Sequence, residues 1–326
     1  MPRCRIISTG MFLPERVLTN HDLEHFMDTN DEWITKRTGI KERHFAEDGV
    51  GSSDLGFEAA RQALDEAGLT GRDLDAIICC TLTPDQVTPG VSHILQARLS
   101  AEGTAAFDIN CACSGFIVGL ATADAFIRAN NYKTILLVGA ETTSRLVNWE
   151  YRDTAVLFAD GAGAVVLQAV DDDVGVLYTH MGADGSGGEI LKLAQGGFRH
   201  KQTPERFAED PIHITMNGQE LFKRAVVTFE REIRNALDQT GLTVDDVDLF
   251  IPHQANARII EAVRERVGLA PDNVMVNIDK TGNTVAASIP MALHEARQAG
   301  RVNAGDLLLL SAFGAGLSWG SAVVRW

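Results

Sequence analysis

Residues 110–116 read NCACSGF: two cysteines one residue apart, a serine, a glycine and then an apolar run. The strand pattern AAFDIN ends there, and a helical pattern runs from Cys113 to Asn130. A thiol at a helix start faces unpaired backbone N–H groups and the positive end of the macrodipole. That setting is expected to lower its pKa and raise the thiolate fraction. Ala112, Ser114 and Gly115 are small enough to leave room for an acyl group and to let a backbone amide approach an oxyanion. Cys113 is therefore the candidate nucleophile, and Cys111, still in the connection, reads as packing. Free cysteines are more often core than catalyst, and Cys79 and Cys80 at the end of DAIICC take that reading. No metal is indicated, since no second cysteine or Cys/His pair stands near C-A-C at ligand spacing.

Two further stretches carry polar groups suited to the same chemistry. IPHQAN (251–256) places His253 at the C-terminal end of a short apolar strand. DKTGNTVAAS (279–288) places Asn283 in a Gly-Asn turn ahead of another small-residue helix start. Singly, His253 reads equally as a satisfied core histidine and Asn283 as a turn residue. On equivalent strand ends facing one crevice, where α/β folds place their sites, they read with Cys113 as a Cys–His–Asn site.

The elements that must bring the three together repeat once along the chain. ALDEAGLTGRDLDAII (63–78) and ALDQTGLTVDDVDLFI (236–251) share nine of sixteen positions at an offset of 173. KTILLVGAE (133–141) and GDLLLLSAF (305–313) repeat as buried strands, and GAVVLQA (163–169) and SAVVRW (321–326) as closing strands. A period this long indicates a duplicated domain rather than a solenoid. Strands alternate with helices throughout, an α/β arrangement. The boundary is expected at Asp171–Asp172–Asp173, giving halves 1–172, carrying the cysteine, and 173–326, carrying His253 and Asn283.

Composition narrows the setting. The chain has 326 residues, 45% apolar and 22% charged, with a net charge of −15. That field disfavours nucleic acid and anionic membranes, so an acidic partner would need a local basic patch. The N-terminus lacks a signal-peptide pattern, and runs such as LLLLSAF are too short to span a membrane. Five cysteines, an odd number, all fall in the first 113 residues. This reads as a reducing, cytoplasmic setting without a disulfide framework.

With these residues in view, the sequence resembles the thiolase superfamily, and within it the β-ketoacyl-acyl-carrier-protein synthase III family. The matching stretches are STGMFLPE, TNDEWITKRTGIKERH, AAFDINCACSGF, DGAGAVVL, HQANARII, GNTVAASIP and AFGAGLSWGSA. The resemblance implies a five-layered α-β-α-β-α fold from two similar halves, usually a homodimer, and an acyltransferase activity initiating fatty-acid synthesis. Cys113 would take an acyl group from acyl-CoA, a substrate, with no cofactor implied. Malonyl on acyl carrier protein would lose carbon dioxide, and its carbanion would attack the Cys113 thioester. His253 and Asn283 would stabilise the enolate, at about 3 kcal/mol per donor. The backbone N–H groups of Cys113 and Ala315 would hold the oxyanion of acyl transfer, alanine being acceptable if its φ is not strongly positive. No cysteine follows Cys113, so the second, basic thiol of non-decarboxylating thiolases is missing.

The resemblance also assigns Trp33 and Arg152 to the two faces of the CoA adenine, Arg37 to its pyrophosphate or adenine edge and Asn256 to the pantetheine arm. Thr88 would reach the partner subunit's acyl pocket, with Phe313 also assigned to the acyl pocket. Lys223, Arg224 and Arg258, with Arg264 and Arg266, would dock the acidic carrier, although Glu261 and Glu265 share their helix. The polar stretch 195–210 is longer than in typical members and is expected to alter the cleft entrance. One alternative on this fold is a specialised enzyme making a polyketide or quinolone starter, or transferring an acyl group. Another is a papain-like protease, whose His and Asn also follow the cysteine by a large gap. It would require an aromatic-rich cysteine motif and secretory disulfides that this chain lacks.

Overall fold

The computed structural model describes residues 2–193, 195–201, 203–209 and 212–326. The first half begins with β1 (Arg3–Phe12), β2 (Val17–Thr19), α1 (Asn20–Glu24), α2 (Asp31–Thr38) and β3 (Glu42–His44). It continues through α3 (Ser52–Ala67), β4 (Ala76–Cys80), α4 (Val91–Arg98), β5 (Ala105–Ile109) and α5 (Gly115–Arg128). It closes with β6 (Thr134–Thr142), α6 (Arg152–Ala155) and β7 (Asp160–Val170). The second half starts at β8 (Gly175–Ala183), β9 (Leu191–Leu193), α7 (Pro204–Glu209), β10 (Ile214–Met216) and α8 (Gly218–Thr240). Then come β11 (Leu249–Pro252), α9 (Ala257–Val267), α10 (Ile278–Thr281), α11 (Ser288–Gln298), β12 (Leu307–Gly314) and β13 (Ser318–Arg325). Asp171–Asp173 is the turn between β7 and β8.

Two sheets share one topology. The first runs β1-β7-β6-β4-β5 and the second β8-β13-β12-β11. β4 pairs with β6 in parallel with Ala76 opposite Ile135, and β11 pairs with β12 with Leu249 opposite Leu308. Both partners move by the same 173 residues. The fifth strand has no full counterpart: a single bridge, Phe250 to Val274, takes its place. The paired closing strands β7 and β13 take equivalent places, each one strand in from the edge of its sheet.

The repeated sequence also repeats its hydrogen bonds. Gly68 and Gly241, both left-handed at φ 67° and 68°, end α3 and α8. Thr70 N–H donates to Asp73 at 2.8 Å and Thr243 N–H to Asp246 at 2.7 Å, fixing the turn into each strand. Asp75 then accepts the Thr134 N–H at 2.9 Å, and Asp248 the Leu307 N–H at 2.7 Å.

Five layers result. α3 and α4 cover the outer face of the first sheet and α8 and α9 that of the second, while α5 and α11 fill the space between the sheets. Phe116, Ile117, Leu120 and Ile127 of α5 are fully buried in that middle layer, each worth about 1.5–3 kcal/mol. α5 follows β5 and α11 follows α10, and the 3-10 turns that lead into the two helices lie against each other between the sheets.

Candidate active site

The chain leaves β5 at Ile109, passes through Cys111 and turns into a short 3-10 turn, Ala112–Ser114, before α5. Ala112 holds a left-handed φ of 44°, unusual for a residue with a Cβ. Cys113 is only 6% exposed. Gly314 packs so closely on it that a Cβ there would fall 2.6 Å from the Cys113 Cβ and 3.0 Å from its sulfur. The backbone amides of Cys113 and Ala315 both reach the sulfur. Ala315 is not among the described residues with a positive φ.

Burial pushes the Cys113 thiol up to about 12, the nearby Glu141 adding to the rise and the two amides opposing it. The expected low pKa is therefore corrected: desolvation of the thiolate outweighs the helix start, and the resting group is a neutral thiol. Glu141 occupies the mirrored position to Gly314 and takes the amide of Ala286, the counterpart of Cys113. One half thus keeps an open pair of amides, while in its mirror Glu141 takes the Ala286 amide and Thr83 Oγ1 takes that of Thr142 at 2.9 Å. Cys79 and Cys80 are fully buried, and Cys111 is half-buried.

His253 follows β11 and is 1% exposed. Its Nδ1 lies 2.7 Å from Ser288 Oγ at the start of α11, and its Nε2 has no protein partner. Burial pulls the imidazole down to about 3, so the ring is neutral. The Gln254 N–H approaches the same Ser288 oxygen at 3.3 Å. Assigning the Ser288 hydrogen to Nδ1 gives the tautomer in which Nε2–H is a donor into the cavity.

Asn283 is held by its backbone, donating to Leu157 O at 2.9 Å and accepting from Ala159 N–H at 3.0 Å. Gly282 before it is left-handed at φ 64°, and a Cβ there would strike Ala159 at 2.8 Å. The Asn283 Oδ1 accepts the Val285 N–H at 2.9 Å. That bond fixes the carboxamide orientation, because only the oxygen can accept, and turns Nδ2 away from the backbone.

Cys113, His253 and Asn283 line one cavity of about 640 Å³. Its apolar wall includes Leu157, Phe222 and Phe313, together with Leu191 of β9 and Met216 of β10. The last two flank the long polar stretch, whose Gln202 and Asp210 lie outside the described residues. Neither Leu191, Met216 nor Ser288 was singled out from sequence. A short apolar strand on each side of a polar excursion was the available signal for the first two; Ser288 offered none beyond a hydroxyl at a helix start.

Trp33, Arg37 and Asn256 also line this cavity. Arg37 and Arg152 both stack on Trp33, each with its guanidinium carbon 4.7 Å from the ring centre. Arg152 also donates to the Asp28 carbonyl at 2.6 Å. The structure thus brings together the residues assigned to adenine but closes the slot. A base between Trp33 and Arg152 needs about 3.5 Å on each face, so Arg152 must withdraw. Asn256 caps α9, accepting from Arg258 N–H at 2.9 Å, and its Nδ2 donates to Arg37 O at 3.1 Å. Its carboxamide is therefore partly committed to the backbone. Thr88 is exposed on the loop before α4 and does not line this cavity.

Of the basic residues, Lys223 and Arg258 line the cavity and have no ion-pair partner among the described residues. Arg224 is paired with Glu220 and Asp184, Arg264 with Glu261 and Glu265, and Arg266 with Glu230. Lys36 joins Arg37 and Arg258 around a neighbouring hollow at the mouth. Among the described residues no group of His, Cys, Asp and Glu is arranged to hold a metal, and no helix is long and apolar enough to cross a membrane.

Residues 107–185 match the family model for 3-oxoacyl-[acyl-carrier-protein] synthase III, and residues 237–326 match the model for its C-terminal part. The chain is 49% identical to a β-ketoacyl-[acyl-carrier-protein] synthase III of Caldanaerobacter subterraneus, over 98% of this chain and 97% of that protein. It is equally 49% identical to one of Xylella fastidiosa, over 99% and 98%. The crystal structure of 3-oxoacyl-[acyl-carrier-protein] synthase III from Aquifex aeolicus superposes with a TM-score of 0.93 at 47% identity, covering 99% of this chain and all of that one.

Proposed function

The chain belongs to the β-ketoacyl-acyl-carrier-protein synthase III family, and from that premise we propose how its residues divide the reaction. It is a condensing acyltransferase that joins an acyl-CoA starter to malonyl-acyl carrier protein in fatty-acid synthesis. In our reading, the Cys113 sulfur attacks the acyl-CoA carbonyl. The tetrahedral oxyanion sits against the amides of Cys113 and Ala315. CoA leaves as the thiol, carrying the proton that Cys113 brought.

The malonyl thioester then breaks its bond to the carboxylate, carbon dioxide leaves, and negative charge collects on the thioester oxygen. His253 Nε2–H and Asn283 Nδ2 donate to that oxygen. Two fixed donors in a water-poor cavity favour the charged state, with about 3 kcal/mol from each. The carbanion attacks the acyl-Cys113 carbonyl, and collapse releases the 3-ketoacyl chain on its carrier and the Cys113 thiolate, which takes a proton from water to return to the thiol that burial favours. Loss of carbon dioxide supplies the carbanion, so no resident metal or cofactor is required.

Trp33, Arg37 and Arg152 bind the adenine end once Arg152 moves aside, with Asn256 beside the pantetheine arm. Phe313 shapes the acyl pocket, which Thr88 reaches in the partner subunit. Lys223 and Arg258 carry the docking of the acidic carrier, and Arg224, already paired, contributes less. A homodimer through the open edge of β5 and a cytoplasmic setting complete the reading, supported by five free cysteines. The observation that carries it is the buried, unpartnered His253 Nε2 on the same cavity as Cys113 and Asn283.

Intact-mass measurement after incubation with acyl-CoAs tests it. An acyl adduct should form on the wild type and not on Cys113→Ala. Malonyl-carrier should release carbon dioxide with the wild type and nearly none with Asn283→Ala. An adduct that survives Cys113→Ala would refute the nucleophile.

A further inference from the structure

Two hydroxyls connect the segments that carry the paired amides. Ser114, immediately after Cys113, is fully buried, and its Oγ lies 2.6 Å from the Oγ of Ser318. Ser318 is the first residue of β13 and stands opposite Gly314 across the hairpin. Ser318 Oγ also lies 2.8 Å from the carbonyl oxygen of Ala315 and 3.4 Å from that of Cys111. Ser114 Oγ lies 2.8 Å from the same Cys111 oxygen.

Counting hydrogens orders this cluster. Two hydroxyls have two hydrogens to give, and each can also accept. The Cys111 oxygen already receives the Ser114 backbone N–H at 3.1 Å. Ser318 donates to Ala315 O, and Ser114, whose one hydrogen is shared between Cys111 O and Ser318 Oγ, braces Ser318 in that position. The relay then runs from the first turn after the nucleophile to the residue that supplies the second amide.

The hairpin tip needs such an anchor. Ala315 is half-exposed and Gly316 exposed. On the outer side, Leu317 and Asp184 exchange two backbone bonds of 2.9 Å, which hold the strand but not the tip. The hydroxyl relay holds the inner side by tying down the Ala315 carbonyl, at one end of the residue whose N–H faces the sulfur. The two amides come from segments about 200 residues apart, one on each half of the duplicated fold. Their spacing is therefore a tertiary property that some contact between the halves must fix.

We propose that Ser114 and Ser318 are positioning residues for acyl transfer, a hydroxyl relay that sets the distance and direction between the Cys113 and Ala315 amides. This rests on the reading of those amides as the oxyanion donors. It concerns the acylation half-reaction, whereas His253 and Asn283 serve decarboxylation at another part of the cavity.

The test compares Ser114→Ala, Ser318→Ala, the double variant and Ser318→Thr, with melting temperatures measured alongside. The single-turnover rate of Cys113 acylation by acyl-CoA is expected to fall about tenfold in each alanine variant, the worth of one well-placed hydrogen bond. The double variant should be no slower than the slower single one, because a relay cut once is already cut. Ser318→Thr, which keeps the hydroxyl, should restore the rate. Malonyl-carrier decarboxylation and the acyl-CoA KM should stay at wild-type values. Unchanged acylation in the alanine variants, or a parallel fall in decarboxylation, overturns the proposal and leaves the Cys113 reading intact. Failure of the wild type to form any adduct overturns both. If buried Ser114→Ala does not fold, the half-exposed Ser318 pair decides alone.

Discussion

The Nδ1 atom of His253 lies 2.7 Å from the hydroxyl of Ser288, and both side chains are buried. Ser288 is thus the partner that sets which imidazole nitrogen carries the proton in the cavity. Replacing it with alanine leaves Nδ1 unsatisfied and frees the ring to adopt the opposite tautomer, with Nε2 unable to donate. An unmet buried group costs about 1–3 kcal/mol. We expect Ser288→Ala to lower carbon dioxide release from malonyl-carrier at least tenfold while acylation of Cys113 changes little. Equal release by variant and wild type would remove Ser288 from the reaction.

Cys113 makes a prediction about pH. With its thiol pushed up to about 12 by burial and by Glu141, only about one molecule in ten thousand carries the thiolate at pH 8. Iodoacetamide labelling of Cys113 in the absence of acyl-CoA should be slow at pH 7 and still rising at pH 10. A helix-activated thiolate would give a plateau below pH 8. Because the charge of Glu141 contributes to the rise, Glu141→Gln should speed labelling at fixed pH. A plateau in the wild type near neutrality would show that the two amides outweigh burial.

Much of this arrangement was legible in the sequence because duplication carries geometry with it. An offset of 173 relates Gly68 to Gly241 and Asp75 to Asp248, and it predicts that Asn110 corresponds to Asn283 and Cys80 to His253. The same offset links Ala112 and Val285, both left-handed at φ 44° and 52° and each opening a 3-10 turn before a central helix. Other features were hidden for physical reasons. The thiol pKa depends on desolvation by layers remote in sequence, which no local helix signal reports. The Ser114–Ser318 contact joins hydroxyls 204 positions apart, and Ser318 lies in a strand where its side chain has no distinguishing pattern. The closed slot at Trp33 depends on rotamers of two arginines. The missing fifth strand of the second sheet reflects α10, where polar IDKT replaces the apolar run AAFDI.

Carrier docking separates into paired and unpaired charges. Lys223 and Arg258 stand at the cavity without ion-pair partners among the described residues, whereas Arg224 has two carboxylates. Lys223→Glu and Arg258→Glu should each raise the KM for malonyl-carrier several-fold and leave acyl-CoA loading unchanged. Arg224→Glu should have a smaller effect, since its charge is already compensated. The effects of Lys223 and Arg258 should shrink as salt is added, because exposed charges are screened beyond about 10 Å at 0.1 M. Equal losses in loading and in condensation would refute the docking role.

The edge of β5 makes the last prediction. Ala105 donates its N–H to Asp75 O at 3.1 Å, and Ile109 accepts from Thr81 N–H at 3.1 Å, so residues 105, 107 and 109 bond inward to β4. By strand alternation, the backbone groups of Ala106 and Asp108 point to the open edge. Asp108 uses its carboxylate to cap α4, accepting from Val91 and Ser92 at 2.7 and 2.8 Å, which leaves its backbone for a partner strand. An unpaired apolar edge of this kind is a template for pairing. Ala106→Pro removes one outward donor without breaking an inward bond, and proline is tolerated on edge strands. Sedimentation velocity should find the wild type dimeric at micromolar concentration and Ala106→Pro shifted toward monomer, with far-UV circular dichroism retained. Since Thr88 sits on an exposed loop away from its own chain's cavity, the separated variant should also change its preference among acyl-CoA chain lengths. A wild type that sediments as a monomer, or a proline variant that stays fully dimeric with the parental preference, would remove β5 as the pairing edge.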